Sequence, residues 1–104
     1  AYEIAVGDLD GDGSDDALLG SPFNDLAANN AGAGFLFYGP MSGTNGLAVE
    51  TADLIVVGED SSDAVGWDSE FADIDDDGAT DLIFSGRGAA NYYGAVYMLP
   101  GSSL

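Results

Sequence analysis

One nine-residue pattern, D-x-D-x-D-G-x-x-D, occurs twice and limits what this chain can fold into more than any other feature. Asp8, Asp10, Asp12, Gly13 and Asp16 fill it first, and Asp73, Asp75, Asp77, Gly78 and Asp81 fill it again 65 residues later. The flanks follow at the same offset: Ala1-Tyr2-Glu3 falls on Gly66-Trp67-Asp68, and Leu18-Leu19-Gly20 falls on Ile83-Phe84-Ser85. Further on, Gly34 to Tyr38 matches Gly94 to Met98 at an offset of 60. The difference is a longer Asn- and Ala-rich loop, Asn24 to Ala33, in the first copy. A repeat of this length is one supersecondary unit that buries its apolar face against a neighbour. The chain therefore divides into repeat 1, residues 1–65 with loop 8–16, and repeat 2, residues 66–104 with loop 73–81.

Each copy reads as β-strands. Tyr2, Ile4 and Val6 alternate with Glu3, Ala5 and Gly7, a period of two. Ala17 to Gly20, Phe35 to Tyr38 and Leu54 to Val57 are short apolar runs bounded by turn residues. Repeat 2 echoes the first three around Phe71, Leu82 to Phe84 and Ala95 to Leu99, with no counterpart of Leu54 to Val57 before Leu104. No helical period is sustained, so the expectation is an all-β protein built of antiparallel blades, one complete and one lacking its last strand.

The loops concentrate charge. Nineteen acidic residues face a single basic one, Arg87, for a formal charge of −18. Such a chain repels phosphate backbones, whose binding depends on Lys and Arg, and this excludes nucleic acid and anionic membrane surfaces as partners. Ten of the nineteen acids lie in the windows Asp8 to Asp16 and Asp73 to Asp81, so the acidity is local carboxylate rather than a general solvating surface. Five Tyr, five Phe and one Trp argue against a disordered acidic tail. The absence of Cys rules out disulfides and thiolate metal sites. No run approaches the roughly 20 apolar residues that span a bilayer, so no membrane insertion is expected, and no signal peptide is legible.

Calcium takes six to eight hard oxygens at about 2.3–2.6 Å in a flexible cage. Carboxylates at loop positions 1, 3 and 5 converge on one point, and glycine at position 6 permits the reversal. The carbonyl at position 7, of Ser14 or Ala79, can face the ion, and Asp16 or Asp81 at position 9 closes the cage. Without a cation, four close carboxylates raise one another's pKa values. The expected metal ligands are Asp8, Asp10, Asp12, Ser14 and Asp16, with Asp73, Asp75, Asp77, Ala79 and Asp81, for two Ca²⁺ ions. Asp15 and Asp76 are expected to face outward or to support the ligands from behind. An ordinary Asp-Gly hairpin turn would explain one such loop but not two at matched places. An EF-hand would need a Glu at position 12, where Leu19 and Phe84 stand, and magnesium prefers a stiffer, wetter octahedron.

Gly7 to Pro22, G-D-L-D-G-D-G-S-D-D-A-L-L-G-S-P, followed by G-F-L-F-Y-G from Gly34 to Gly39, resembles an FG-GAP repeat of the kind found in integrin α-chain propellers. Val65 to Gly86 resembles it again, with Gly66-Trp67 standing for the "FG". Ala1-Tyr2 departs from that opening, and Gly20-Ser21-Pro22 and Ser85-Gly86-Arg87 depart from "GAP", none of them touching the expected ligands. The resemblance implies a propeller of four-stranded blades with a calcium loop between the first two strands of each, in a secreted or cell-surface protein.

Two repeats do not close a propeller, which has typically four to eight blades. The expectation is either other blades of a longer chain or a homo-oligomeric, head-to-tail assembly through the strand edges at Leu54 to Val57 or Ala95 to Leu99. The favoured function is a calcium-stabilised extracellular module for adhesion or self-assembly, binding a protein or glycan. The alternative is a lectin-like propeller, for which Trp67 and the Asn91-Tyr92-Tyr93 loop are the candidate aromatic contacts, although Trp67 at the "FG" position also suits core packing. An enzyme is not expected. With no His, Lys or Cys there is no base to activate a nucleophile, and the carboxylates outside the loops show no catalytic spacing.

Overall fold

In the computed structural model, residues 2–40, 49–89 and 92–101 are described. Ala1 of the "FG" position and Asn91 of the aromatic loop lie outside them. Seven strands follow in chain order: β1 (Glu3–Gly7), β2 (Asp16–Ser21), β3 (Ala33–Phe37), β4 (Leu54–Val57), β5 (Val65–Ala72), β6 (Asp81–Gly86) and β7 (Ala95–Leu99). A 3₁₀ turn, Val49–Thr51, precedes β4. β1 to β4 form one antiparallel sheet in sequential order, and β5 to β7 form a second. Sequential meanders of this kind need only short connections, and the loop of each acidic pattern is the hairpin between a first and a second strand. No helix among the described residues is long and apolar enough to cross a membrane.

The register corrects the repeat offset in the third strand. Ala17 pairs with Phe37 in sheet 1, and Leu82 pairs with Leu99 in sheet 2. With Ala17 and Leu82 equivalent at 65, the third strands match at 62 (99 − 37), not 60. Phe35 thus corresponds to Tyr97 and Gly39 to Gly101. The sequence match at 60 was drawn by the Gly34 and Gly94 pair, and a slip of two residues keeps every side chain on its face, so the pattern alone did not expose it.

The sheets pack face to face. Ala5, Leu9, Leu18 and Leu36 from repeat 1 meet Val65, Leu82 and Phe84 from repeat 2 in one core. Leu54, Val56, Phe71, Tyr97 and Leu99 pack at its margin. Small residues let the sheets close up where β5 passes sheet 1: a Cβ on Gly20 would strike the Gly66 carbonyl, and one on Gly7 would crowd the Phe71 ring. In β1 Ala5 faces the core, while Ile4 and Val6 point away from it. The inner face of β1 takes small side chains because a second sheet lies against it.

At the end of the sheets away from the acidic loops, Trp67 ties the repeats together. Its ring lies 5.0 Å from that of Tyr2 and 5.8 Å from that of Phe23, and the Arg87 guanidinium sits 4.6 Å above it. Trp67 is thus neither core nor free surface but the centre of a half-exposed aromatic cluster that carries the chain's one basic side chain.

Candidate metal centre

Each acidic loop is wound by its own backbone around its first carboxylate. Asp8 accepts N–H bonds from Gly11 (2.9 Å), Asp12 (3.2 Å) and Gly13 (2.9 Å), and Asp12 accepts one from Ser14 (2.8 Å). Asp73 likewise accepts from Asp77 (3.1 Å) and Gly78 (2.9 Å), and Asp77 accepts from Ala79 (2.9 Å). Such side-chain-to-backbone bonds are what short Asp residues offer in turns. The position 6 glycines need their freedom: φ is 90° at Gly13 and 87° at Gly78. At position 4 Gly11 and Asp76 share the left-handed region, with φ of 73° and 60°. Asp is among the few side chains that tolerate it, and Asp76, like Asp15, is exposed.

The carboxylates converge. One oxygen from each of Asp8, Asp10 and Asp12 lies within 4.8 Å of the others, and the same holds for Asp73, Asp75 and Asp81. Oxygens on opposite sides of a calcium ion stand about 5 Å apart, so both groups fit that ion's shell. Ser14 and Ala79 sit at position 7, where their N–H groups hold the preceding ligand carboxylate.

The position 9 aspartates have a second task that the sequence pattern did not disclose. Both are fully buried. Asp16 accepts N–H bonds from Leu9 (2.8 Å), Asp10 (3.4 Å) and, across the sheet, Gly39 (2.7 Å). Asp81 accepts from Ile74 (2.9 Å), Asp75 (3.4 Å) and Gly101 (2.9 Å). Each therefore pins its loop to the end of the third strand. Gly39 and Gly101 are needed there, since a Cβ on either would strike the backbone carbonyl of Asp15 or Thr80. Their spacing of 62 was the available signal, hidden by the wrong third-strand offset.

Titration follows this geometry. The Gly101 N–H bond leads the causes that hold Asp81 below the usual aspartate value, against the cost of desolvation. Asp10 and Asp75 are pushed up. Desolvation leads, yet both residues are exposed, so the weight falls on like charge: Asp16 and Asp12 act on Asp10, and Asp77 and Asp81 on Asp75. Both loops open on one cleft of about 350 Å³, lined by Asp8 to Gly11, Tyr38, Gly78 to Thr80 and Gly101. Burial and the charges of Asp10, Asp16 and Asp53 raise the Tyr38 phenol, which stays neutral beside the loop.

The family model described as "FG-GAP repeat" matches residues 1–37, the stretch that holds β1, loop 8–16, β2 and β3. Residues 1–37 are an FG-GAP repeat. FG-GAP repeats are β-propeller blades, and the chain has the corresponding all-β architecture of antiparallel sheets. The match covers 37 of 104 residues, and the likeness of the second unit to an FG-GAP repeat rests on its own loop, register and hydrogen bonds. No curated protein matches the chain.

Proposed function

We propose that this chain is a calcium-stabilised, non-catalytic blade module of secreted or cell-surface proteins, serving adhesion or assembly. The observation that carries this reading is the recurrence of one convergent carboxylate group in each repeat, at the same hairpin. Two Ca²⁺ ions, with two positive charges each, would take the formal charge from −18 to −14 and relieve the repulsion inside each loop. FG-GAP repeats often bind calcium and occur mainly in extracellular or surface proteins, which supports the setting. The ion's work is structural, since the buried Asp16 and Asp81 connect each loop to its sheet.

The test is thermal unfolding of the whole chain with calcium and with EDTA. Free ligand at 100 times Kd adds about 2.7 kcal/mol per site, so the midpoint should climb with calcium and fall on chelation. A midpoint indifferent to both would refute the structural role of calcium.

The second reading, a lectin-like module, draws on the exposed Tyr2 and Phe23 around Trp67 and on Tyr92 and Tyr93, which are also exposed. Flat aromatic faces suit sugar rings, and a glycan array in calcium separates this reading from protein-based assembly. For the non-catalytic proposal, turnover of any member of a glycoside panel is the contrary result.

A further inference from the structure

Arg87 is the chain's one cation against nineteen acidic residues, yet no carboxylate among the described residues pairs with it. Its side chain is exposed, and its guanidinium lies over the Trp67 ring, 4.6 Å from the centroid. Stacking uses a face of the guanidinium and leaves free the N–H donors along its edge. That edge is the part of an arginine that matches a carboxylate with two parallel bonds. The fold thus holds its single cation on an aromatic ring, with the anion-binding edge unused.

Arg87 also lines a cavity of about 340 Å³, together with Ser62, Ala64, Gly88 and Tyr92. The backbone there is strained. Ser62, Ala64 and Tyr92 have φ of 67°, 55° and 69°, so three of the five non-glycine residues in the left-handed region, among the described residues, meet at this cavity. Such a conformation costs free energy, persists only where the surroundings dictate it, and concentrates at ligand-binding sites. The surroundings here are backbone bonds. Ser62 and Ala64 donate to the Asn29 and Asn30 carbonyls (2.9 and 3.0 Å), Gly88 donates to Asp63 (2.9 Å), and Tyr92 donates to Gly88 (3.2 Å). A Cβ on Gly88 would strike the Ser62 carbonyl, so the two loops close directly on one another. Asp63, the acid between Ser62 and Ala64, is buried and accepts the Asp60 N–H (2.9 Å).

We propose that this cavity binds a glycan end carrying one carboxylate, a uronic acid residue, with the carboxylate on the Arg87 guanidinium and the pyranose ring against Tyr92. The assignment rests on the lectin-like reading and gives it a site, a charge and a ligand class. An exposed ion pair alone contributes little, so a bare carboxylate is too small a ligand. The Tyr92 ring, 76% exposed at the cavity, supplies the flat apolar contact that a sugar's C–H face needs. The charge of −18 opposes any anion at long range and excludes a densely charged polymer. In about 0.15 M salt that field is largely screened beyond roughly 8 Å, which leaves one carboxylate attracted to one guanidinium at contact.

Trp67 is the chain's one tryptophan, so its fluorescence reads the site directly. The full chain in calcium is titrated at constant ionic strength with glucuronate, glucose and acetate, each to about 50 mM, because single-ring ligands bind in the millimolar range. Glucuronate should saturate, and glucose and acetate should each bind at least about tenfold more weakly. Arg87→Gln should lose at least about tenfold, while Arg87→Lys, which keeps the charge without the planar fork, should fall between the two. Tyr92→Asn keeps a residue that tolerates the left-handed backbone, removes the ring and should weaken glucuronate binding with Arg87 in place. Thermal midpoints check that each variant is folded. No response to glucuronate overturns the proposal, and so does undiminished binding by folded Arg87→Gln or Tyr92→Asn. Acetate as tight as glucuronate overturns the sugar assignment. Glucose as tight as glucuronate overturns the carboxylate assignment and leaves the lectin-like reading standing, whereas a glycan array blank for neutral and acidic sugars alike ends that reading too.

Discussion

The third strand of sheet 1 and the third strand of sheet 2 have the same place in their repeats and opposite surroundings. Every residue of β3 from Ala33 to Phe37 is buried, whereas in β7 Val96 and Met98 stand open and Ala95, Tyr97 and Leu99 are half-buried. The acidic loops do not share this divergence. Both wind round a first aspartate, both place glycine at φ near 90°, and both end on a buried aspartate that takes three N–H bonds. Loop geometry is thus written locally, by side-chain-to-backbone bonds that need no neighbour. Strand burial is set by what lies on either side, and β3 has β4 beside it while β7 is an edge among the described strands.

The strongest way to break this comparison is to remove the buried carboxylates. Asp16→Ala and Asp81→Ala each strand three N–H groups that had an ionised acceptor, and bonds to charged groups contribute about 1.5–3 kcal/mol each. Allowing for non-additivity, each substitution should cost on the order of 4 kcal/mol in urea unfolding with calcium present. If the loops are local, the two costs agree within about 1 kcal/mol. A much smaller cost for Asp81→Ala would show that the second loop borrows less from its own repeat than its hydrogen bonds imply.

The next effect should differ between repeats. Leu36 and Met98 are equivalent, but Leu36 is buried between the sheets and Met98 is 41% exposed. Leu36→Ala should cost about 3 kcal/mol through lost burial and the cavity left behind. Met98→Ala should cost under about 1 kcal/mol. Equal costs would mean that the outer face of sheet 2 is as well covered as the face between the sheets.

How much of this was legible beforehand follows the same division. The two loops, their glycines and the strands beside them could be read from residue type and spacing, because the forces that shape them act over nine residues. The orientation of β1 could not: Ile4 and Val6 look like core and Ala5 looks like filler until sheet 2 presses Gly66 and Phe71 against the small side. The third-strand offset failed for a related reason. A strand repeats every two residues, so a slip of two leaves the pattern intact, and only pairing with β2 and β6 settles it. The anchoring role of Gly39 and Gly101 lay behind that slip. Leu9 shows the limit from the other side: its counterpart Ile74 has the same apolar character, and only the presence of a facing sheet makes one buried and the other exposed.

The smallest expected effect sharpens the comparison at one atom. Tyr97 corresponds to Phe35, so the two repeats differ there by a hydroxyl. Desolvation by burial raises the Tyr97 phenol above its ordinary value of 10.0, and the negative charges of Asp63, Glu59 and Asp60 add to this. The folded chain therefore holds that proton more tightly than the unfolded chain does. The resulting stability is whole below pH 10 and is lost as pH rises from the unfolded value through the higher folded one. Tyr97→Phe, which gives repeat 2 the ring of repeat 1, should leave stability at pH 7 within about 0.5 kcal/mol and make the alkaline fall shallower. The phenol is partly open to solvent, so screening keeps the change small, a few tenths of a kcal/mol. Tyr38, raised by burial and by the carboxylates of Asp10, Asp16 and Asp53, keeps its own alkaline loss in the variant. Urea unfolding followed from pH 8 to 11 would separate the two phenols, and an alkaline limb unchanged by Tyr97→Phe would place the whole loss at Tyr38 and the first loop.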